Sequence, residues 1–135
     1  MTDPQRLLAA AVAARAGSYS PYSRFAVGAA LLDADGRVWT GANIENASYG
    51  LSMCAERTAV FHAVASGVKE FVACAVAGPP GVTTTPCGAC RQVLSEFGPR
   101  MPVYYEDTNG ALVTTSVDAL LPGAFGPADL DEARR

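Results

Sequence analysis

Apolar residues recur along the chain at two spacings, one helical and one extended, and the two kinds of segment alternate. A first helix is predicted by Asp3 as N-cap, Pro4 at the first helical position and Gly17 as a stop signal. Its inner face should carry the apolar residues that lie at helical spacing, Leu7, Leu8, Ala11 and Val12.

Two further helices are predicted from spacing and end signals. The segment 53–66 is helical in pattern, Gly67 ends it, and its inner stripe should be Ala59, Val60, Ala63 and Val64. Another helix should have Thr85 as N-cap and Pro86 as its first residue, and should close at Gly98.

Short apolar runs between these helices predict strands. They cover 25–32, 37–41, 70–77, 101–105 and 111–116. Turn signals at 33–36 and 107–110 make two of the connections tight hairpins. The pattern therefore predicts an α/β fold of three layers, in which a mixed five-stranded sheet has helices on both faces.

Length and charge narrow the classes of protein. The chain has 135 residues, 50% of them hydrophobic, which fits one domain over 1–135. A net charge of −3 offers no basic surface for a polynucleotide, and no apolar run is long enough to cross a bilayer. The run 7–14 after Arg6 resembles a targeting signal, but Asp3 and the abundance of alanine argue against one. We expect a cytoplasmic protein with four reduced cysteines, available for metal binding, catalysis or packing.

Three of these cysteines form the motif that carries chemistry. Cys54 precedes Ala55 and Glu56 at one predicted helix start, and Cys87 and Cys90 stand at the next. Residues three apart share one side of a helix, so two thiolates can hold one Zn²⁺ and Cys54 can be its third ligand. Three protein ligands leave a fourth tetrahedral position for water, as catalysis requires.

Glu56 is the candidate general acid and base. It is close enough in sequence to exchange protons with water at the metal. Residues two apart lie nearly opposite on a regular helix, so Cys54 must occupy an irregular first turn for both side chains to reach the site.

These motifs resemble the signature of the zinc-dependent deaminases. The segments 19–31, 43–51, 54–57 and 86–92 together resemble the cytidine deaminase family of small homotetramers. The resemblance implies one Zn²⁺ per subunit, the family's fold, and hydrolytic deamination of cytidine and 2′-deoxycytidine in pyrimidine salvage. Glu56 would carry a proton to ring N3 and a second proton to the departing amine.

The resemblance also implies roles for residues around the metal. Arg57 would donate to the ligand sulfurs, although a solvated helix arginine is the alternative. Asn43 and Glu45, two apart in an extended segment, can grip a sugar hydroxyl together, and the family places ribose there. The alternative for Asn43 is a turn-forming role.

Four more contacts come from the resemblance alone. Phe25 would pack against the pyrimidine ring, with a core aromatic as its alternative, and backbone groups of Ala55 and Thr85 would touch the base. Tyr49 and Phe125 would reach the site of a neighbouring subunit. Sequence position alone makes neither an interface residue.

Three other hypotheses remain open on the sequence. Cys74 could complete a structural four-cysteine zinc module, although its apolar surroundings indicate a core residue. The pair Cys87 and Cys90 could serve a thioredoxin-like redox protein. A blasticidin S deaminase shares the three-cysteine pattern, but Asn43, Glu45 and Arg57 favour cytidine. His62 is expected to pack or to face solvent, not to bind zinc.

Overall fold

The protein is built around one mixed sheet in a computed structural model that describes residues 3–133. Its strand order is β2-β1-β3-β4-β5. The strands are β1 (Gly28–Asp33), β2 (Val38–Ala42), β3 (Phe71–Ala77), β4 (Pro102–Glu106) and β5 (Leu112–Ser116). All neighbouring strands are antiparallel except β3 and β4, which are parallel. The predicted mixed five-stranded sheet is confirmed.

Helices cover both faces of this sheet, as predicted. They are α1 (Pro4–Ala14), α2 (Ala55–Ala65), α3 (Gly88–Phe97), α4 (Val117–Leu120) and α5 (Pro127–Ala133), with short 3₁₀ turns at Arg15–Gly17 and Tyr49–Leu51. Successive strand residues point to opposite faces, so Ala30 packs under α1 while Ala29 and Leu31 pack under α2 and α3. The parallel pair follows from α3, which carries the chain from β3 to β4.

The N-terminal helix begins as its sequence predicts. The Asp3 side chain accepts hydrogen bonds from the backbone N–H groups of Gln5 and Arg6, and Pro4 is the first helical residue. Leu7, Leu8 and Ala11 are buried. Val12 is 45% exposed, so its predicted place on the inner face is wrong. It lies about 100° around the helix from Ala11, outside the narrow stripe that meets the sheet.

Three predicted starts were wrong because irregular backbone precedes the element. The second helix begins at Ala55, after Cys54 as an extended N-cap, and not at 53. The third helix begins at Gly88 with Cys87 as N-cap, and not with Thr85 as cap and Pro86 as first residue. Cys87 itself has extended backbone, with φ −67° and ψ 170°, so helical geometry begins only after it. The first strand begins at Gly28 instead of 25, because the residues before it belong to a loop in which Arg24 has a left-handed φ of 57°.

Close approach of backbones fixes α2 on the sheet. A Cβ added to Gly41 on β2 would lie 2.6 Å from the Ala55 carbonyl oxygen and would also overlap the backbone nitrogen of Ala59. Only glycine allows this approach, and it sets the position of the helix that begins beside Cys54. No helix in the described part of the chain is long and apolar enough to span a membrane.

Replacing Gly41 by alanine should therefore destabilise the protein. The added methyl group meets helix backbone that cannot rotate away, and overpacking of this kind costs about 1–3 kcal/mol of unfolding free energy. Urea denaturation at matched protein concentration measures the change. Gly17→Ala is the control, because its nearest neighbour would be the Ala42 Cβ at 3.9 Å. Equal stability of the two variants would contradict the close approach.

Candidate active site

Three cysteine thiols converge where α2 and α3 begin. Cys54 is the N-cap of α2, Cys87 is the N-cap of α3, and Cys90 lies in the first turn of α3. The Sγ atoms of Cys54 and Cys87 are 3.6 Å apart, and those of Cys87 and Cys90 are 3.4 Å apart. All three sulfurs lie within 4.8 Å of one another. Cys54 is extended and outside the helix, which meets the requirement for an irregular start.

The spacing of the sulfurs fits a metal ion. Tetrahedral zinc with Zn–S bonds of about 2.3 Å places its ligand sulfurs roughly 3.8 Å apart. The observed separations are close to this value and far longer than a disulfide bond, and all four cysteines are free. Cys74 is fully buried in β3 and is not in the cluster of possible ligands found among residues 3–133. The donor set is therefore three thiols, which favours a catalytic zinc site over a closed four-cysteine one.

Positive charge beside the thiols favours the thiolate form. Arg57 Nη2 donates to Cys54 Sγ at 3.4 Å. A hydrogen bond with Cys90 and then the Arg57 interaction lower the pKa of Cys54 to about 5, while burial opposes them. Hydrogen bonds to the sulfurs, Cys54 first, raise the pKa of the Arg57 guanidinium. Within the described chain, Arg57 Nε is the buried side-chain polar atom left without a partner, a spare donor beside an anionic centre.

Glu56 lies at the same helix start and is 3% exposed. Burial is the largest cause that raises the pKa of its carboxyl to about 7, and the nearby Cys54 thiolate adds to it. The backbone N–H of Glu56 and the Cys90 thiol oppose the shift by hydrogen bonding. A carboxyl poised near neutrality can accept and return a proton at physiological pH, which is the property a general acid and base needs.

A cavity of about 250 Å³ opens onto these groups. Its lining brings together seven of the residues singled out from sequence, namely Asn43, Glu45, Cys54, Ala55, Glu56, Thr85 and Cys87. The residues predicted to bind a sugar and two of the three thiols therefore line one opening. Val27, Ser52, Met53 and Thr84 complete the lining. Nothing in their residue types marked these four beforehand.

Asn43 and Glu45 both reach this cavity, and both also hold the loop 18–27. Asn43 Oδ1 accepts from Ser18 Oγ at 2.6 Å and from the Val27 N–H at 2.9 Å, while its Nδ2 donates to the Phe25 carbonyl at 2.8 Å. These bonds join Asn43 to residues distant in sequence, so it holds the loop by tertiary contacts and not by the local turn that was its alternative role.

Glu45 anchors the same loop through its carboxylate. Oε1 accepts from the backbone N–H groups of Tyr22 and Ser23 at 3.0 and 3.1 Å, and Oε2 accepts from Ser23 Oγ. The Ser23 hydroxyl is the main reason that the pKa of Glu45 lies below its usual value. The carboxylate is consequently ionised and oriented where it meets the cavity.

Three predicted aromatic residues lie outside the cavity lining, as do Cys90 and Arg57 beside the other thiols. Phe25 is 37% exposed, so the core alternative does not hold for it. Tyr49 is 73% exposed and packs edge-on against Tyr22 with ring centroids 5.8 Å apart. Phe125 is 57% exposed. All three rings are exposed in this chain, and Tyr49 lines an adjacent cavity together with Glu45 and Ser52.

Other side chains around the site carried no chemical signal in the sequence. His62 is exposed, packs edge-on against Trp39 at 5.2 Å and is not near the thiols, as expected. Ser23 and Arg91 each hold a segment that borders the cavity, a role that emerges only from tertiary contacts. Both residues lie in segments that resemble the family, but the resemblance did not indicate a role for either of them.

Comparison with known proteins agrees with this geometry. The model of the cytidine and deoxycytidylate deaminase zinc-binding region matches residues 1–106. A cytidine deaminase of Sporosarcina psychrophila is 49% identical over 132 residues, which cover 97% of either chain. That of Halalkalibacterium halodurans is 51% identical over 131 residues, 96% of this chain and 99% of the relative.

A solved structure shows the same fold. The crystal structure of cytidine deaminase from Burkholderia pseudomallei superposes with a TM-score of 0.86 at 51% identity, covering 93% of this chain and 100% of that one. Fold and thiol cluster together define a zinc-dependent enzyme of the deaminase class. The chain belongs to the cytidine and deoxycytidylate deaminase family.

Removing one thiol should abolish tight zinc binding. Cys90→Ala leaves two of three sulfurs, and we expect zinc per chain, measured by elemental analysis after dialysis, to fall from about one to near zero. Cys74→Ala is the matched control, because this cysteine is buried but lies outside the cluster. Zinc retained by the Cys90 variant, or lost by the control, would be incompatible with the three-thiol centre.

Proposed function

We propose that this chain, as a single catalytic domain spanning 1–135, hydrolyses cytidine and 2′-deoxycytidine to uridine and 2′-deoxyuridine with release of ammonia. The observation that supports this most directly is the buried Glu56 carboxyl beside three convergent thiols on a cavity of about 250 Å³. The relatives named cytidine deaminase, which match nearly the full chain, support the choice of substrate.

Cys54, Cys87 and Cys90 would hold the zinc ion. Zinc bound there would lower the pKa of its water ligand toward neutrality. Arg57 offsets the negative charge of the thiolates, because its guanidinium already donates to Cys54. The two helix N-termini add partial positive charge on the same side.

Glu56 moves the protons of the reaction. It takes a proton from the attacking water and delivers it to ring N3, so that the ring accepts oxygen at C4. Glu56 would then take the proton of the hydroxyl now on C4 and pass it to the amino group, so that the C4–N4 bond breaks, the C4 carbonyl forms and ammonia leaves. Water and nucleoside thus yield the keto product and ammonia with no further reactant.

The cavity supports recognition of a nucleoside. Asn43 and Glu45 line it with oriented polar atoms, and they would bind the ribose hydroxyls by sharing or exchanging their bonds to the loop 18–27. The backbone of Ala55 and Thr85 would contact the base from the other side. Phe25 would pack on the pyrimidine ring once the loop closes over a bound substrate.

The proposed assembly is a homotetramer. The side chains of Tyr49 and Phe125 are 73% and 57% exposed. Those of Tyr19, Tyr22 and Leu51 are 47–70% exposed. Apolar side chains exposed in such numbers near a catalytic cavity are typical of surfaces that other subunits cover. Tyr49 and Phe125 would then complete the site of a neighbouring subunit.

Light scattering in solution tests the assembly. The expected mass is about four times the 13.9 kDa of one chain. Replacing Phe125 by aspartate on the exposed surface should weaken the tetramer, because a charge would enter an apolar interface. A monomeric mass for the unaltered protein would rule the tetramer out.

Pyrimidine salvage in the cytoplasm is the proposed cellular role. Free cysteines that must stay reduced to bind zinc fit a reducing compartment. The products, a uracil nucleoside and ammonia, are those a salvage reaction returns to metabolism.

Glu56→Gln should keep its zinc and lose at least roughly 10²-fold in the rate of ammonia release from cytidine, because an amide cannot carry the proton.

The unaltered protein should deaminate cytidine and 2′-deoxycytidine but not free cytosine, which lacks the sugar that Asn43 and Glu45 would bind. Ammonia release from these three compounds and from blasticidin S measures both expectations.

Each outcome of this assay has a distinct meaning. Near-normal turnover by the Glu56 variant would remove the proposed proton carrier. Turnover of blasticidin S alone would replace the nucleoside substrate by that of the alternative deaminase.

A further inference from the structure

The segment 83–86 lies between the cavity and α3 and has little backbone support. Thr84 and Thr85 line the cavity, and Pro86 leads directly into Cys87. In the described part of the chain, no backbone–backbone hydrogen bond reaches residues 83–86. A wall of the cavity and the residue before a metal ligand therefore depend on side chains for their position.

Arg91 supplies this support through three contacts of one guanidinium. Nε donates to the Pro86 carbonyl at 2.7 Å, and Nη2 donates to Thr85 Oγ1 at 3.4 Å. Nη1 donates to the Leu120 carbonyl at 2.9 Å, at the end of α4. The rigid guanidinium plane fixes these three acceptors relative to one another.

We propose that Arg91 is a positioning residue for the metal centre and for the Thr85 wall of the cavity. It touches neither thiol nor cavity, yet it fixes the carbonyl of Pro86 and so the backbone from which the Cys87 thiol projects. Through Leu120 it also ties this loop to the C-terminal part of the chain. A matching tie comes from the next residue, since Gln92 Nε2 donates to the Phe125 carbonyl at 2.8 Å.

Two consequences follow from this geometry. Without the three contacts the segment 83–86 gains freedom, so Cys87 spends less time within ligand distance of a zinc ion held by Cys54 and Cys90, and zinc dissociates faster. Thr85 also moves relative to Ala55, which lines the same cavity. The affinity for the nucleoside should therefore fall by a larger factor than the rate of the chemical step. The second consequence rests on the proposed function, whereas the first does not.

Arg91→Lys tests the proposal while keeping the charge and most of the side chain. One ammonium cannot reach three diverging acceptors, so the zinc-loaded variant should transfer its metal to 4-(2-pyridylazo)resorcinol at least about 10-fold faster than the unaltered protein. Its KM for cytidine should rise with a smaller change in kcat when zinc is in excess. Arg91→Gln, which lacks the charge, should show the same direction.

Arg37→Ala is the control for loss of an arginine. Arg37 pairs with Asp33 and stacks on Trp39 in the hairpin between β1 and β2. The Arg37→Ala variant should transfer its zinc at a rate within twofold of that of the unaltered protein. Circular dichroism establishes that each variant is folded at the assay temperature. Zinc transfer at the unaltered rate from folded Arg91→Lys would overturn the proposal. If zinc transfer accelerates but the unaltered protein itself does not act on cytidine, the proposed function fails while the positioning role stands.

Discussion

Three sulfurs from two separate helices must come within bonding distance of one ion, and this requirement governs how the surrounding chain is arranged. Cys54 and Cys87 meet it by occupying N-cap positions, where extended backbone turns the side chain out of the helix. Both helices must then begin at the same edge of the sheet. The contact of α2 with Gly41 and the β3–α3–β4 crossover are the means by which the fold places those two helix starts together.

The side of the cavity proposed to bind the substrate is built on a different principle. The loop 18–27 has little regular structure and a strained residue at Arg24, and it is held by the side chains of Asn43 and Glu45. These two residues connect the loop to the cavity, so a ligand that engages them necessarily acts on the loop. The thiol cluster is placed by two helix starts, whereas the proposed recognition of the substrate involves an irregular segment that side chains hold in place.

The sequence predicted most of the fold and the chemical core of the site, for identifiable reasons. Helix and strand existence followed from periodicity and from strong end signals such as Asp3 with Pro4, and the zinc cluster followed from the spacing of Cys87 and Cys90. Boundaries next to irregular backbone were wrong, as at Thr85 and at 25–27, because the contacts that set them come from distant residues. Val12 was misplaced because periodicity does not reveal how wide a stripe the sheet covers.

Cys54 and Glu56 are separated by one residue, Ala55, at the beginning of α2. The separation between a metal ligand and the proton carrier is thus set by covalent geometry and one turn of helix, not by packing between elements. Small movements of the sheet would displace the two as one body. Fluctuations elsewhere in the molecule can therefore alter how the substrate is seated while leaving the pairing of carboxyl and ion intact.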